Sequence, residues 1–142
     1  MGGSSKAQPK SRVDYLSEAI ALERMGDFDA ALTSYRLALR DQPNDTAILQ
    51  NLAIAYTRTG QLEDAIRAYR RALEIAPRLS GAHYGLAFLL LRRRDRAGAM
   101  MHLEAFLAQA PEGDDAERWV QHAMQSLTAL RAGEDVPAEP TT

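Results

Sequence analysis

Cysteine is absent from all 142 residues, which removes disulfides, thiolate nucleophiles, iron–sulfur clusters and cysteine-ligated zinc and leaves the redox compartment open. A strong charge of either sign is missing too. With 17 Lys+Arg against 19 Asp+Glu the net charge is −2, so no overall field draws the chain onto nucleic acid or an anionic membrane. No run of about 18 apolar residues occurs, so direct membrane insertion is not expected. The opening Met1-Gly2-Gly3-Ser4-Ser5-Lys6 lacks the apolar core of a signal peptide, and Lys6 stands where a myristoylation motif wants Ser or Thr. A cytoplasmic setting is favoured over that of an exported, lipid-anchored bacterial protein. The glycines are isolated, so neither a phosphate-cradling loop nor a nucleophile elbow is present. His83, His102 and His122 are not spaced as a pair on one helical turn around a carboxylate; no metal or cofactor is implied, and the chain reads as non-catalytic. His83 reads as a packed or partly exposed residue, His102 and His122 as surface residues.

What the sequence does have is a period. Pro43, Pro77 and Pro111 are 34 residues apart (77 − 43 = 34; 111 − 77 = 34), and a fixed spacing of that size marks an array of repeated supersecondary units. In register with the prolines fall Ala31, Ala65 and Ala99, then Tyr35, Tyr69 and Leu103, then Leu22, Tyr56 and Leu90. Each unit holds two segments with apolar residues at i, i+3, i+4 and i+7, the signature of amphipathic helices. They are joined at Met25-Gly26-Asp27, Thr59-Gly60-Gln61 and Arg93-Arg94-Asp95. Gly26 and Gly60 can take the left-handed conformation that ends a helix cheaply, and the prolines stop each second helix. Ala53 with Ala65, and Ala87 with Ala99, are small where the two helices of a unit must approach. The expected architecture is all-α, a stack of antiparallel hairpins.

Such a stack needs a terminal helix with a polar outer face. Residues 115–131 supply it, with Asp114 as the expected N-cap. Ala116, Trp119, Val120, Ala123, Met124, Leu127 and Leu130 lie on one side, and Arg118, Gln121, His122 and Gln125 opposite. Trp119 reads as a packing residue on that stripe. Asp27/Asp29 and Asp114/Asp115 fall at helix starts, where carboxylates favour the macrodipole. Residues 1–11, rich in Gly, Ser, Lys and Pro, read as a flexible leader, and 133–142, acidic with two prolines, as a disordered tail.

The unit spanning residues 46–79 carries Leu49, Leu52, Ala53, Tyr56, Gly60, Leu62, Ala65, Tyr69, Ala72 and Pro77, and in this it closely resembles a tetratricopeptide repeat. Residues 12–45 match through Tyr15, Ala19, Leu22, Gly26, Phe28, Ala31, Tyr35, Ala38 and Pro43, with Glu18 where a leucine is usual. Residues 80–113 depart from the pattern: His83 replaces a large apolar residue, Arg94 the turn glycine, Arg96 the aromatic after it, and Phe106 a small alanine. A looser third turn and different packing are expected there. The resemblance covers residues 12–132, three repeats plus the capping helix, and implies a right-handed superhelical solenoid of about seven helices.

It further implies a protein-interaction scaffold or adaptor whose first helices line a concave groove. The contact positions map onto Val13, Leu16, Ile20, Glu23 and Arg24; onto Ala47, Gln50, Ile54, Thr57 and Arg58; and onto Gly81, Tyr84, Phe88, Leu91 and Arg92. The partner-binding candidates are Leu16, Ile20, Gln50, Ile54, Tyr84, Phe88 and Leu91, because a contiguous exposed apolar patch marks an interaction site. An apolar or helical protein segment is the expected ligand. Coverage by a neighbouring hairpin or by one of the chain's own tails is the competing reading, and homo-oligomerisation through the same surface or through Phe106 is the alternative function. Of the carboxylate-gripping set found in chaperone-binding members only Asn51 matches, since Leu16, Ile20, Gly81 and Gly85 occupy the other positions. Arg24, Arg58 and Arg92 recur one repeat apart as a basic edge, read either as macrodipole compensation or as an acidic contact on a partner. Nucleic acid is not expected, because the basic edge lacks interleaved aromatics.

Overall fold

The structure is a computed structural model describing residues 12–140; the leader 1–11 and the side chain of Val13 lie outside the described residues. Among the described residues seven helices follow one another: α1 Arg12–Arg24, α2 Phe28–Asp41, α3 Thr46–Arg58, α4 Leu62–Ile75, α5 Ser80–Arg92, α6 Arg96–Ala108 and α7 Asp114–Arg131. Each helix packs on its chain neighbours, and α3 also touches α5, so the first helices of the hairpins form one layer and the second helices another.

The alanines decide how closely the layers approach. Ala19, Ala31, Ala53, Ala65, Ala87 and Ala99 are fully buried, one pair per hairpin, and Tyr35, Ile66, Leu86 and Leu103 fill the spaces between hairpins. An added methylene at such a contact typically costs about 1–3 kcal/mol, because an interior packed to crystal density cannot absorb it. Asp27, Asp45 and Asp95 start α2, α3 and α6 by accepting backbone N–H bonds from Ala30, from Ala47 and Ile48, and from Gly98. At α7 the expected cap shifts by one: Gly113 is the N-cap and Asp114 already lies inside the helix.

The third turn is not looser than the others. Asp27, Gln61 and Asp95 each return a backbone N–H to Leu22, Tyr56 and Leu90, at 2.9, 2.8 and 2.8 Å. Gly26 and Gly60 sit at φ 80 and 78, and Arg94 takes the same left-handed conformation at φ 65. The departure from glycine appears as backbone strain at Arg94 and not as a different loop.

Two expectations about α7 are corrected. His122 is buried at 4% exposure, and Met124 is exposed. The buried stripe runs His122, Ala123, Ser126, Leu127, Leu130, with the half-buried Trp119 one turn ahead of it, a helical series in which polar residues take two places because they find partners there. Phe106, the other candidate for an oligomer contact, is buried at 3% exposure and therefore faces no second chain. The segment after α7 also differs from the expected disordered tail. Gly133 at φ 75 turns the chain back, the Glu134 N–H closes on the Ala129 carbonyl at 2.8 Å, and Val136 packs on the core. Composition missed this because a single apolar side chain and backbone carbonyls make the contacts.

Candidate functional site

A cleft of about 510 Å³ opens on the layer of first helices. Ile54, Thr57 and Arg58 of α3 form one side, Gly81, Tyr84, Gly85, Phe88, Leu89 and Arg92 of α5 the floor, and Trp119 of α7 with Glu139 the far wall. Tyr69 reaches in from α4. It can do so because residue 85 is glycine: a Cβ there would overlap the Tyr69 phenol.

Tyr84 organises the floor. Its ring lies 4.8 Å from Phe88, 5.2 Å from Phe106 and 5.7 Å, edge-on, from Trp119, separations at which offset and edge-to-face aromatic pairs attract. His122 stacks on Phe88 at 4.9 Å. Its Nδ1 lies 2.8 Å from the Tyr84 hydroxyl and its Nε2 3.0 Å from the Pro137 carbonyl. A carbonyl only accepts, so Nε2 carries a proton, and in the tautomer assigned from these partners Nδ1 accepts from Tyr84. Burial, and then the nearby Glu139 carboxylate, raises both phenols, Tyr69 to about 12 and Tyr84 further. Both therefore stay protonated near neutrality, Tyr84 donating to His122 and Tyr69 presenting its hydroxyl to the cleft.

The sequence-predicted residues divide. Ile54, Tyr84, Phe88, Arg58 and Arg92 line the cleft, and Gln50 sits beside it with its amide over Gly81. Leu16, Ile20 and Leu91 are instead half-buried against the core and are not part of the cleft lining. The apolar positions of α1 serve largely to hold the stack together. Arg24 is exposed and also apart from the cleft. Tyr69, buried in the core, and Trp119, read as a packing residue and half-buried against the core, also border the cleft, which the sequence analysis did not anticipate. Gly85 opposite Tyr69 was the available signal for the first; for the second, Trp119 on the buried stripe gave none.

The basic edge is partly committed. Arg58 donates to Glu23 Oε2 at 2.8 Å and lies over the Phe28 ring, clasping the first hairpin to the second. Glu23 also accepts from the Tyr35 hydroxyl, and burial followed by this contact raises that phenol. Exposed pairs of this kind contribute about 0–1 kcal/mol, so the clasp orients Arg58 more than it stabilises the fold.

His83 and His102, on different helices, meet at 3.0 Å between their Nδ1 atoms, and His83 Nε2 donates to the Pro77 carbonyl. His102 is thus half-buried and not the expected surface residue. Its pKa is lowered, first by burial and then by His83 and Arg70, with Asp95 opposing. Among the described residues no group of three or more His, Asp, Glu or Cys side chains could hold a metal ion, and no helix is long and apolar enough to cross a membrane.

A profile of the tetratricopeptide repeat matches residues 16–80, spanning the first two hairpins, and the same spatial arrangement recurs in solved structures of that type. Residues 16–80 belong to the tetratricopeptide repeat family. The tetratricopeptide domain of Sgt2 from Aspergillus fumigatus superposes with a TM-score of 0.72 at 24% identity, over 99% of this chain and 95% of that one. The Yersinia enterocolitica type III secretion chaperone SycD, solved with a peptide of the translocator YopD, gives a TM-score of 0.79 at 16% identity, over 85% and 92%. The MamA protein gives 0.75 at 20% identity over 86% of this chain, which spans 63% of that protein's length. No curated protein sequence matches. At these identities the likenesses bear on fold: an all-α, right-handed superhelical tetratricopeptide solenoid of antiparallel hairpins.

Proposed function

We propose that this tetratricopeptide protein is a non-catalytic adaptor that holds a segment of another protein in the cleft between α3, α5 and α7. The observation that carries the reading is the cleft's composition. Ile54 and Phe88 present apolar surface beside two protonated phenols, the Trp119 ring, and guanidinium groups at Arg58 and Arg92. Apolar anchors fit the floor, and carbonyls or carboxylates on the ligand fit the donors at the rim. A tetratricopeptide domain of Spaghetti, similar in fold at a TM-score of 0.71, is bound to an HSP90 peptide, and SycD to a translocator peptide, which is consistent with such use.

The test is a random peptide library panned against the chain, with the enriched peptides measured against the native protein and the double variant Ile54→Glu, Phe88→Glu. Ile54 is 38% exposed, whereas Phe88 is half-buried against the core, so the single variant Ile54→Glu is measured beside the double and far-UV circular dichroism checks both. Loss of peptide binding with retained helicity supports the cleft. Unchanged binding by the variant sinks it. Sedimentation at several concentrations addresses self-association through the same surface.

A further inference from the structure

Three features that depart from the repeat pattern converge on one segment. Arg96, standing where the repeat has an aromatic residue, reaches with Nη2 to the carbonyls of Leu130 at 3.4 Å and Glu134 at 3.2 Å. His122, a buried histidine on the capping helix, donates from Nε2 to the Pro137 carbonyl at 3.0 Å. Val136, the one large aliphatic side chain in an acidic stretch, packs against the core cluster. Beyond them Glu139 reaches the cleft and forms part of its wall with Tyr69, Tyr84 and Trp119. The segment has no helical or strand structure of its own, and what holds it is side chains of α6 and α7 gripping its carbonyls.

We propose that residues 134–140 are an intramolecular ligand of the cleft, and that a partner enters by displacing them. This deepens the function proposed above and rests on it for the identity of the site. The segment is suited to the role by strength as well as position. Its grip consists of two hydrogen bonds from charged or ring donors, one valine and one carboxylate, few enough to release, yet covalent attachment keeps it close. A tethered segment of this length experiences an effective concentration of ~1 mM, so if its free counterpart binds the open cleft at ~0.1 mM, the tether weakens any competitor about tenfold. The displaced segment leaves Glu139 and the Pro137 carbonyl to solvent, and the entering ligand meets the His122 Nε2–H freed from that carbonyl and the Tyr69 hydroxyl in the cleft wall. An extended acidic segment supplies what they require.

The test uses a fluorescently labelled synthetic peptide, Gly-Glu-Asp-Val-Pro-Ala-Glu-Pro-Thr-Thr, identical to residues 133–142. It is titrated into the full native chain and into the full chain carrying Val136→Asp and Glu139→Arg, which disable the resident segment and leave the cleft side chains of α3, α4, α5 and α7 intact. Binding to the variant about tenfold tighter than to the native chain is expected. Equal affinity, or no binding to either, overturns the proposal. In case the double variant misfolds, nitrogen-15 NMR of the native chain provides a second reading: a slowly exchanging His122 Nε2–H proton is expected, and rapid exchange of that proton overturns the proposal. The two readings fail separately. Library peptides that need Ile54 and Phe88 but bind native and tail-variant chains equally refute the intramolecular ligand and leave the cleft standing. Library peptides indifferent to Ile54 and Phe88, with the tail peptide still preferring the variant, refute the cleft as the partner site and leave the tail seated.

Discussion

Tyr84→Phe removes one oxygen from the centre of the cleft and nothing else. The ring contacts to Phe88, Phe106 and Trp119 survive the change, so packing is held constant. What is lost is the proton donated to His122 Nδ1 at 2.8 Å, and His122 is only 4% exposed, so water cannot replace the donor without opening the joint between α5 and α7. A buried acceptor left unpaired costs about 1–3 kcal/mol, against about 0.5–1.5 kcal/mol for the net worth of an ordinary hydrogen bond. The imidazole cannot escape by switching tautomer, because Nε2 must keep its proton for the Pro137 carbonyl. With a urea slope of about 2 kcal/mol/M the denaturation midpoint should fall by roughly 0.5–1.5 M. Repeat arrays can fray from one end, so the loss should be larger in Trp119 fluorescence, which reports α7, than in circular dichroism, which reports the whole stack. Combining Tyr84→Phe with His122→Phe removes both polar partners, and the double variant should be less destabilised than the sum of the singles, with a coupling of about 0.5–1.5 kcal/mol. A Tyr84→Phe variant within about 0.3 kcal/mol of native by both signals would refute the assigned tautomer and the role of the pair.

Two further outcomes are expected. Arg94→Gly should stabilise the chain: relief of the left-handed backbone at φ 65 is worth about 1–2 kcal/mol, glycine's extra unfolded-state entropy takes back about 0.5–1, and the thermal midpoint should rise by about 2–5 °C; a lower midpoint would show that Arg94 makes a compensating contact. His102 has a folded-state pKa below its ordinary 6.5, so the unfolded chain binds more protons in the interval between the two values. Stability is therefore complete above that interval and declines as pH falls through it. His102→Asn should flatten this decline in urea midpoints taken across the interval, and an unchanged slope would assign it to other groups.

Much of the fold was legible because its determinants are local and periodic. Prolines at 43, 77 and 111, paired alanines and turn glycines each act on their own helix or its neighbour, so the 34-residue spacing carries them directly. The cleft was legible in its α3 and α5 parts, Ile54, Tyr84 and Phe88, for the same reason. Leu16, Ile20 and Leu91 were misplaced because register alone cannot tell which apolar side chains of a first helix the adjoining packing half-covers. Tyr69, Trp119 and His122 escaped because their positions depend on what lies across from them: a missing Cβ at Gly85, a hydroxyl at Tyr84 and a carbonyl at Pro137. Composition has no term for backbone carbonyls, and so the segment after α7 read as unstructured.

The fit between Gly85 and Tyr69 also bears on how the array can be lengthened or recombined. The hairpins α1–α2 and α3–α4 share helix lengths, turn geometry and buried alanine pairs, and resemble interchangeable cassettes. The hairpin α5–α6 is different in kind. Its glycine must follow a tyrosine in the preceding helix, its Tyr84 must find the histidine of α7, and its Arg96 must meet that helix's last carbonyls. Residues 80–140 therefore move as one terminal block, and new cassettes can be inserted only ahead of it. The third repeat's irregularities act as punctuation: they tie this hairpin to α7 and set it apart from the two cassettes before it.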